Sequence, residues 1–276
     1  MGAEQPVAWA PWAASARAAS NMDLAAFADG AIVVYYASLV VPDAVRERLA
    51  GLLDGDEKAR ARVFLDPRHG DRFAVSRGTV RVLLARFLEV SAETVRFASG
   101  PNGKPNLDGP KTTPPLQFNV SHSGDRLAVA VSMQGPVGID MERLRPVPDA
   151  GDLAARVLTA KELATFEALP ESQRERTFLV TWVRKEACLK AVGAGFSMPA
   201  PGFEVMGLSN SAGGAPVAGF GAEWHLHTLD PWDGYVGAVV APGPDRQVAP
   251  FDVTWNPLGE GSVAPRARSS ARSEPV

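Results

Sequence analysis

Two acidic residues stand two positions apart in the segment GIDME, residues 138–142. The segment has the character of a β-strand, and side chains two apart in a strand share a face, so Asp140 and Glu142 are expected side by side. Adjacent carboxylates repel, which raises a proton affinity or calls for a cation, and hard divalent ions take oxygen ligands of this kind. A strand end with two solvated acids fits the same pattern, so the pair alone leaves both interpretations open.

A further acid and base lie on a predicted helix with the sequence FLVTWVRKEACLK, residues 178–190. Phe178, Trp182, Glu186 and Lys190 recur every four residues and therefore form one stripe along the helix. The stripe passes from aromatic to acid to base, which suits the edge of a site. An ordinary amphipathic helix with a Glu–Lys pair has the same spacing.

A histidine between two serines forms a third pattern, in FNVSHSG at residues 118–124. Placed just after a strand, Ser121 and Ser123 could donate hydrogen bonds to a phosphate, and His122 could add charge when protonated. A turn histidine without a ligand is the alternative.

A basic segment precedes these motifs. Residues 58–86 hold eight Lys or Arg residues against Asp66 and Asp71. Such a surface could meet phosphate, nucleic acid or an acidic partner protein, or could simply be solvated. A nucleic-acid binder is the weakest of these, because the chain carries a net charge of −3 and shows no platform of interleaved aromatic and basic residues.

The elements that must position these residues follow from hydrophobic periodicity and turn signals. Helices are predicted at 43–53, 57–65, 71–90 and 171–192, with another opening at the capping box of Thr159 and Glu162. Strands are predicted at 31–41, 95–99, 117–121, 127–132, 137–142, 203–208, 223–228 and 235–241, the last two as a hairpin. This order predicts an α+β protein of two similar halves, each with helices packed on a small, mostly antiparallel sheet.

Composition narrows the chemistry. The 276 residues are 46% hydrophobic and 21% charged, as in an ordinary globular protein with room for two domains. The single cysteine, Cys188, excludes an intramolecular disulfide and a cysteine-rich zinc site, so a metal is expected on carboxylates. No apolar run is long enough to cross a membrane and no basic segment opens the chain, so the cytoplasm is the expected location.

The motifs in this order resemble the 4′-phosphopantetheinyl transferase superfamily, specifically the larger, monomeric Sfp-type enzymes that activate nonribosomal peptide and polyketide synthases. The resemblance rests on the basic helix, the turn GKP at 103–105, FNVSHSG, GIDME and the pattern W-x-x-K-E-A-x-x-K at 182–190. It implies an active site in a cleft between the two halves. The expected organisation is a loose leader at 1–28, a coenzyme A-binding half at 29–135, a half with the metal and catalytic residues at 136–250, and a mostly disordered tail at 251–276.

The resemblance also implies a reaction. The hydroxyl of a serine on an apo acyl or peptidyl carrier protein attacks the β-phosphate of coenzyme A, which yields the holo carrier protein and adenosine 3′,5′-bisphosphate. Asp140, Glu142 and Glu186 would hold magnesium, and Glu186 would help to deprotonate the serine, directly or through a water on the metal. Lys190 would neutralise or protonate the leaving phosphate, and Lys185 would face phosphate or solvent.

The coenzyme contacts are carried over from the same resemblance. His122 and Ser121 would touch the phosphates of the coenzyme, with His122 at the 3′-phosphate, and the turn would lie along the adenine. The implied contact residues are Arg60, Arg72, Gly103, Lys104, Pro105, Ser121, His122, Lys185 and Lys190. One departure is Phe73, which stands where a close relative has a hydroxyl residue beside the 3′-phosphate.

Two other functions remain open at this point. A magnesium-dependent phosphohydrolase of coenzyme A or nucleotides would use the same acids with water as the nucleophile. A catalytically silent relative would bind carrier proteins only, although Asp140, Glu186 and Lys190 are all retained. A membrane partner is not expected, and the protein is expected to be a monomer.

Overall fold

The computed structural model describes residues 22–100, 105–109, 112–193, 200–208, 213–217, 223–256 and 261–266. Its helices are α1 (Met22–Ala28), α2 (Asp43–Gly51), α3 (Gly55–Arg62), α4 (Pro67–Leu88), α5 (Ala150–Val157), α6 (Ala160–Ala168) and α7 (Glu171–Val192). Its strands are β1 (Ile32–Ser38), β2 (Arg96–Ser99), β3 (Pro105–Asp108), β4 (Gln117–Ser123), β5 (Arg126–Ser132), β6 (Gly138–Arg143), β7 (Ala215–Pro216), β8 (Trp224–Leu229), β9 (Tyr235–Pro242), β10 (Val248–Trp255) and β11 (Gly261–Pro265). The predicted α+β class is confirmed.

Two sheets carry the fold, and each is covered by helices. The first has the strand order β11-β10-β1-β5-β4 and the second the order β6-β9-β8-β7, while β2 and β3 form a separate ribbon. Alternate residues of β1 face opposite ways: Val33 and Tyr35 pack with the helices α2 and α4, whereas Ile32 and Val34 pack against the second sheet. The helices α5 to α7 cover the other face of that sheet. The layers are therefore helices, sheet, sheet, helices.

The helix with the acid and base stripe, α7, has the predicted bounds of 171–192. It ends at Gly193, which adopts the left-handed conformation (φ 70°) that favours glycine at a helix C-terminus. The capping box of Thr159 and Glu162 is also present at the start of α6. The hairpin of β8 and β9 pairs antiparallel as predicted.

The strand predicted at 203–208 is wrong. Phe203 and Val205 alternate as in a strand because both fill the helical core of the second half. The backbone there bonds to side chains instead of to a neighbouring strand. The Glu162 carboxylate accepts the N–H groups of Val205 and Met206, at 2.7 and 3.0 Å, and Arg184 donates to both of their carbonyl oxygens.

The predicted disordered tail at 251–276 is wrong for the part that the structure describes. Strand β10 pairs parallel to β1, and β11 pairs antiparallel to β10. Phe251, Val253 and Val263 enter the core of the first half, which is why these strands form despite their prolines. The chain thus returns from the second half to the first sheet.

The leader also contains structure. Residues 22–28 form α1, and the buried Asp23 accepts hydrogen bonds from the Tyr35 hydroxyl at 2.5 Å and from Arg86 at 2.9 Å. These bonds fasten α1 to β1 and α4. In the ranges given above, none of the helices is both long and apolar enough to span a membrane.

Candidate active site

The two sheets are joined where side chains of β4 form hydrogen bonds with the backbone of β6. β6 pairs with β9 along one edge, and its other edge lies against β4. Three backbone N–H groups of β6 donate across this boundary to side chains that are spaced two residues apart on β4. The bonds run from Ile139 to Asn119 Oδ1 (2.9 Å), from Met141 to Ser121 Oγ (3.2 Å) and from Arg143 to Ser123 Oγ (3.1 Å). We call these three residues of β4 the seam ladder. It fixes the acid-bearing strand to the first half.

The two acids of β6 face the seam ladder. The Ser121 hydroxyl donates to Asp140 Oδ1 at 2.8 Å, and the Ser123 hydroxyl donates to Glu142 Oε2 at 2.6 Å. The Lys190 ammonium also binds Asp140 Oδ1, at 2.7 Å, although the two residues are 50 positions apart. Asp140 is buried and Glu142 is half-buried. The predicted shared face of the two acids is therefore present.

Helix α7 approaches β6 at Gly138. A Cβ atom on this residue would lie 2.0 Å from the Ala187 carbonyl oxygen and 2.4 Å from the Ala191 nitrogen. Strand and helix can touch through their backbones only because Gly138 has no side chain. This contact brings the stripe of Glu186 and Lys190 to the acids of β6.

The surroundings of Glu186 raise the pKa of its carboxyl group. Burial raises the pKa of the Glu186 carboxyl, and the neighbouring Asp140 carboxylate raises it further, while Lys190 opposes the shift. Within the described ranges, the Glu186 carboxylate has no hydrogen-bond or ion-pair partner. A carboxylate of this kind is suited to accept a proton or to bind a cation.

The predicted metal ligands are Asp140, Glu142 and Glu186. No group of three or more His, Cys, Asp or Glu side chains is close enough to hold a metal in the part of the chain that the structure describes. The donor set nevertheless fits a hard divalent cation, because it consists of carboxylate oxygens and because Asp140 and Glu186 repel each other. The Lys190 ammonium lies against Asp140, where it supplies positive charge to the pair.

Lys185 does not face phosphate or solvent, so that prediction is wrong. Its side chain is 1% exposed, pairs with Glu162 at 2.8 Å, and donates to the carbonyl oxygens of Ala200 and Phe203. Consecutive residues of a helix point about 100° apart, so the neighbour of a site residue can face the core. Burial lowers the pKa of Lys185, and the Glu162 carboxylate opposes this effect.

The histidine of FNVSHSG lies on a different face from its serines. Strand β4 continues to Ser123, two residues beyond the predicted end, so alternation separates His122 from Ser121 and Ser123. The serines bond to β6, whereas His122 follows Phe118 and Val120 on the other face and is exposed. Partial desolvation and the Lys190 charge lower the pKa of His122. The interpretation of one phosphate cradle made by all three side chains is therefore wrong.

The basic residues divide into exposed and buried groups. Arg72 of α4 forms an ion pair with Asp125, in the turn that follows β4. Arg60 is exposed, and its guanidinium lies 5.2 Å from the Phe73 ring centre, with Arg77 at 5.4 Å from the same ring. Phe73 stands where a close relative has a hydroxyl residue. It thus contacts two guanidinium groups.

The predicted contact residues of the turn, and one further arginine of α4, are placed as follows. Pro105 opens β3, whereas Gly103 and Lys104 lie outside the described residues. Arg81, which shares a helix face with Arg77, is fully buried and binds Glu57 at 2.7 Å and the Val95 carbonyl oxygen at 3.2 Å. Its role is to support the first half rather than to meet a ligand.

Sequence reasoning missed the parts played by Asn119, Ser123 and Gly138. A usable signal was present, since the pattern N-x-S-x-S at 119–123 puts three short polar side chains on one face if the strand continues. For Gly138 the sequence offered only a glycine inside a strand, which often marks a close backbone approach.

The chain matches two family models. Residues 45–134 match "4′-phosphopantetheinyl transferase, N-terminal", and residues 136–240 match "4′-phosphopantetheinyl transferase superfamily". A solved structure, the holo-(acyl-carrier-protein) synthase AcpS of Thermotoga maritima, aligns with a TM-score of 0.31 at 21% identity over 44% of this chain and 69% of that chain. This likeness is too distant to say anything about the site.

Curated relatives are more informative. The chain is 34% identical to the 4′-phosphopantetheinyl transferase HetI of Nostoc sp. over 67% of this chain and 87% of HetI. It is 26% identical to the 4′-phosphopantetheinyl transferase Sfp of Bacillus subtilis over 75% of this chain and 89% of Sfp. The extent and identity of the HetI match, together with the two family models, show that this chain belongs to the 4′-phosphopantetheinyl transferase superfamily and is an enzyme of that class.

Proposed function

We propose that this enzyme transfers 4′-phosphopantetheine from coenzyme A to a serine hydroxyl of apo acyl or peptidyl carrier proteins, with magnesium, and releases adenosine 3′,5′-bisphosphate. The observation that carries the proposal is the meeting of Asp140, Glu186 and Lys190 at the boundary of the two sheets. Two carboxylates and an ammonium group this close together can bind a cation, accept a proton and stabilise the charge of a leaving phosphate. Carrier domains of polyketide and nonribosomal peptide synthases are the expected substrates.

The metal would be held by Asp140, Glu142 and Glu186, whose oxygens suit Mg²⁺. When bound, it would offset the negative charge of the coenzyme pyrophosphate. The seam ladder holds two of these carboxylates by hydrogen bonds from Ser121 and Ser123. Asp140 would then share its oxygens between the cation and Lys190.

The transfer needs a base that accepts the proton of the carrier serine, and a positive charge that stabilises the leaving phosphate. The serine oxygen forms a bond to the β-phosphorus as the bond from that phosphorus to the bridging oxygen breaks. Glu186, whose pKa is raised by burial and by Asp140, accepts the serine proton. Lys190 stabilises the charge that develops on the departing 5′-phosphate of adenosine 3′,5′-bisphosphate.

The nucleotide would be bound by the first half. His122 is exposed on the face of β4 away from the acids, and Arg72 is held beside the next turn by Asp125. Arg60 of α3 stacks on Phe73, the residue that follows Arg72 on α4. We propose that His122 and these arginines meet the 3′-phosphate, with the turn at 103–105 along the adenine.

The test is to incubate the protein with magnesium, coenzyme A and a panel of apo carrier proteins, and to weigh the carriers by intact mass spectrometry. A gain of one phosphopantetheine, with an equal amount of adenosine 3′,5′-bisphosphate, is expected. Consumption of coenzyme A without any gain would instead establish a phosphohydrolase. Intact coenzyme A and unmodified carriers across the panel would point to a silent carrier-binding relative.

A further inference from the structure

The two serines of the seam ladder both donate their hydroxyl hydrogens to carboxylates of β6. A serine hydroxyl offers one hydrogen and two lone pairs. Ser121 gives its hydrogen to Asp140 and accepts from the Met141 N–H and, at 3.4 Å, from Lys190. Its capacity is therefore full. Ser123 gives its hydrogen to Glu142 and accepts from the Arg143 N–H.

We propose that the seam ladder positions the acids, with Ser123 as the positioning residue for Glu142 and Ser121 as that for Asp140. This inference rests on the proposed function, because it takes these two acids as the metal ligands. Neither hydroxyl can donate to a phosphate while its carboxylate is in place. Their chemical role is thus toward the carboxylates and not toward the coenzyme.

The geometry explains why the arrangement is effective. Each hydroxyl bonds to a carboxylate of β6 and also to the backbone N–H of the next residue on β6. The carboxylate is therefore held relative to its own backbone by a group that belongs to the other half of the protein. Asn119 adds a third rung, to Ile139, with no acid attached. Sliding of β4 along β6 would break the rungs and release both acids together.

Ser123 is the better rung to test, because it contacts Glu142 without contacting Lys190. Ser123→Ala removes both of its bonds, whereas Ser123→Thr keeps the hydroxyl. A matched control is Ser132→Ala, since the Ser132 hydroxyl also accepts a backbone N–H, from Gln134 at 3.1 Å, at the far end of the same sheet. Binding of Mn²⁺ to the protein without coenzyme, measured by electron paramagnetic resonance, reports on the carboxylates directly.

Loss of a hydrogen bond to a metal-binding carboxylate typically lowers metal affinity about 10- to 100-fold. We expect Ser123→Ala to raise the Mn²⁺ dissociation constant by about 10-fold or more. The magnesium concentration for half-maximal carrier loading should rise in parallel, with the KM for coenzyme A unchanged. Ser123→Thr should restore both values, and Ser132→Ala should leave both at the wild-type level.

The inference is overturned if Ser123→Ala binds Mn²⁺ as the wild type does. It is also overturned if the one defect of Ser123→Ala is a loss of thermal stability equal to that of Ser132→Ala. It is also overturned if the wild-type protein binds no Mn²⁺. The wild type could bind Mn²⁺ more tightly than Ser123→Ala does and yet load no carrier. That result would contradict the proposed function and leave the inference about Ser123 standing.

Discussion

Replacement of Gly138 by alanine tests whether the backbone contact of β6 with α7 sets the site. The new Cβ would lie 2.0 Å from the Ala187 carbonyl oxygen and 2.4 Å from the Ala191 nitrogen, and both are backbone atoms that no side-chain rotation can move. Favourable contacts between heavy atoms lie at about 3.5 Å, so strand and helix must separate by more than about 1 Å. That shift would draw Asp140 away from Glu186 and Lys190.

The magnitude follows from two effects. A misplacement of about 1 Å in an active site can cost about 100-fold in rate. Overpacking of a core contact also costs about 1–3 kcal/mol in the free energy of unfolding. We therefore expect Gly138→Ala to be less stable but folded at low temperature, with carrier loading reduced about 100-fold.

The assay is the initial rate of carrier loading by intact mass at saturating coenzyme A and magnesium, below the melting temperature measured by circular dichroism. Gly151→Ala is the control, because a Cβ there would meet nothing within 4 Å. It should load at the wild-type rate. A folded Gly138→Ala protein that loads carriers at nearly the wild-type rate would refute the role given to this contact.

Three other substitutions test separate parts of the site. Lys190→Ala should lower kcat by about 100-fold or more, as loss of a group that stabilises developing charge does, with a smaller effect on the KM for coenzyme A; the reverse pattern would make Lys190 a binding residue. His122→Ala should weaken binding of coenzyme A more than binding of its analogue without the 3′-phosphate, and equal losses by calorimetry would contradict that contact. Because the pKa of Glu186 is raised by burial and Asp140, its ionisation lowers stability as pH rises above the ordinary carboxyl range. In chelator-treated protein, Glu186→Gln should therefore raise the melting temperature at neutral pH, with the gain lost below about pH 4; a gain that does not vary with pH would contradict this.

The sequence predicted well what depends on local pattern. The bounds of α7 followed from its apolar periodicity and from Gly193, and the start of α6 followed from its capping box. The acids of β6 were expected on one face because a strand has a period of two. The resemblance carried by the motifs led to the correct superfamily.

The errors came from contacts between distant parts of the chain. Lys185 was placed at the site because it adjoins Glu186, but its direction is set by Glu162 on another helix. His122 was grouped with its serines because β4 was ended two residues early, and β6 is what keeps that strand extended. The parallel pairing of β10 with β1 joins segments more than 200 residues apart, and no local pattern indicates it.

The most direct test of a transferase site at this seam compares carrier loading by the wild type and by Asp140→Asn, read as intact carrier mass together with released adenosine 3′,5′-bisphosphate. The asparagine keeps an oxygen for Ser121 but removes the charge that faces Lys190 and Glu186. We expect the wild type to add one phosphopantetheine per carrier only when magnesium is present. The folded variant should add none on the same timescale. Loading by Asp140→Asn at the wild-type rate, or equal loading by the wild type in excess chelator, would contradict a transferase site at this seam.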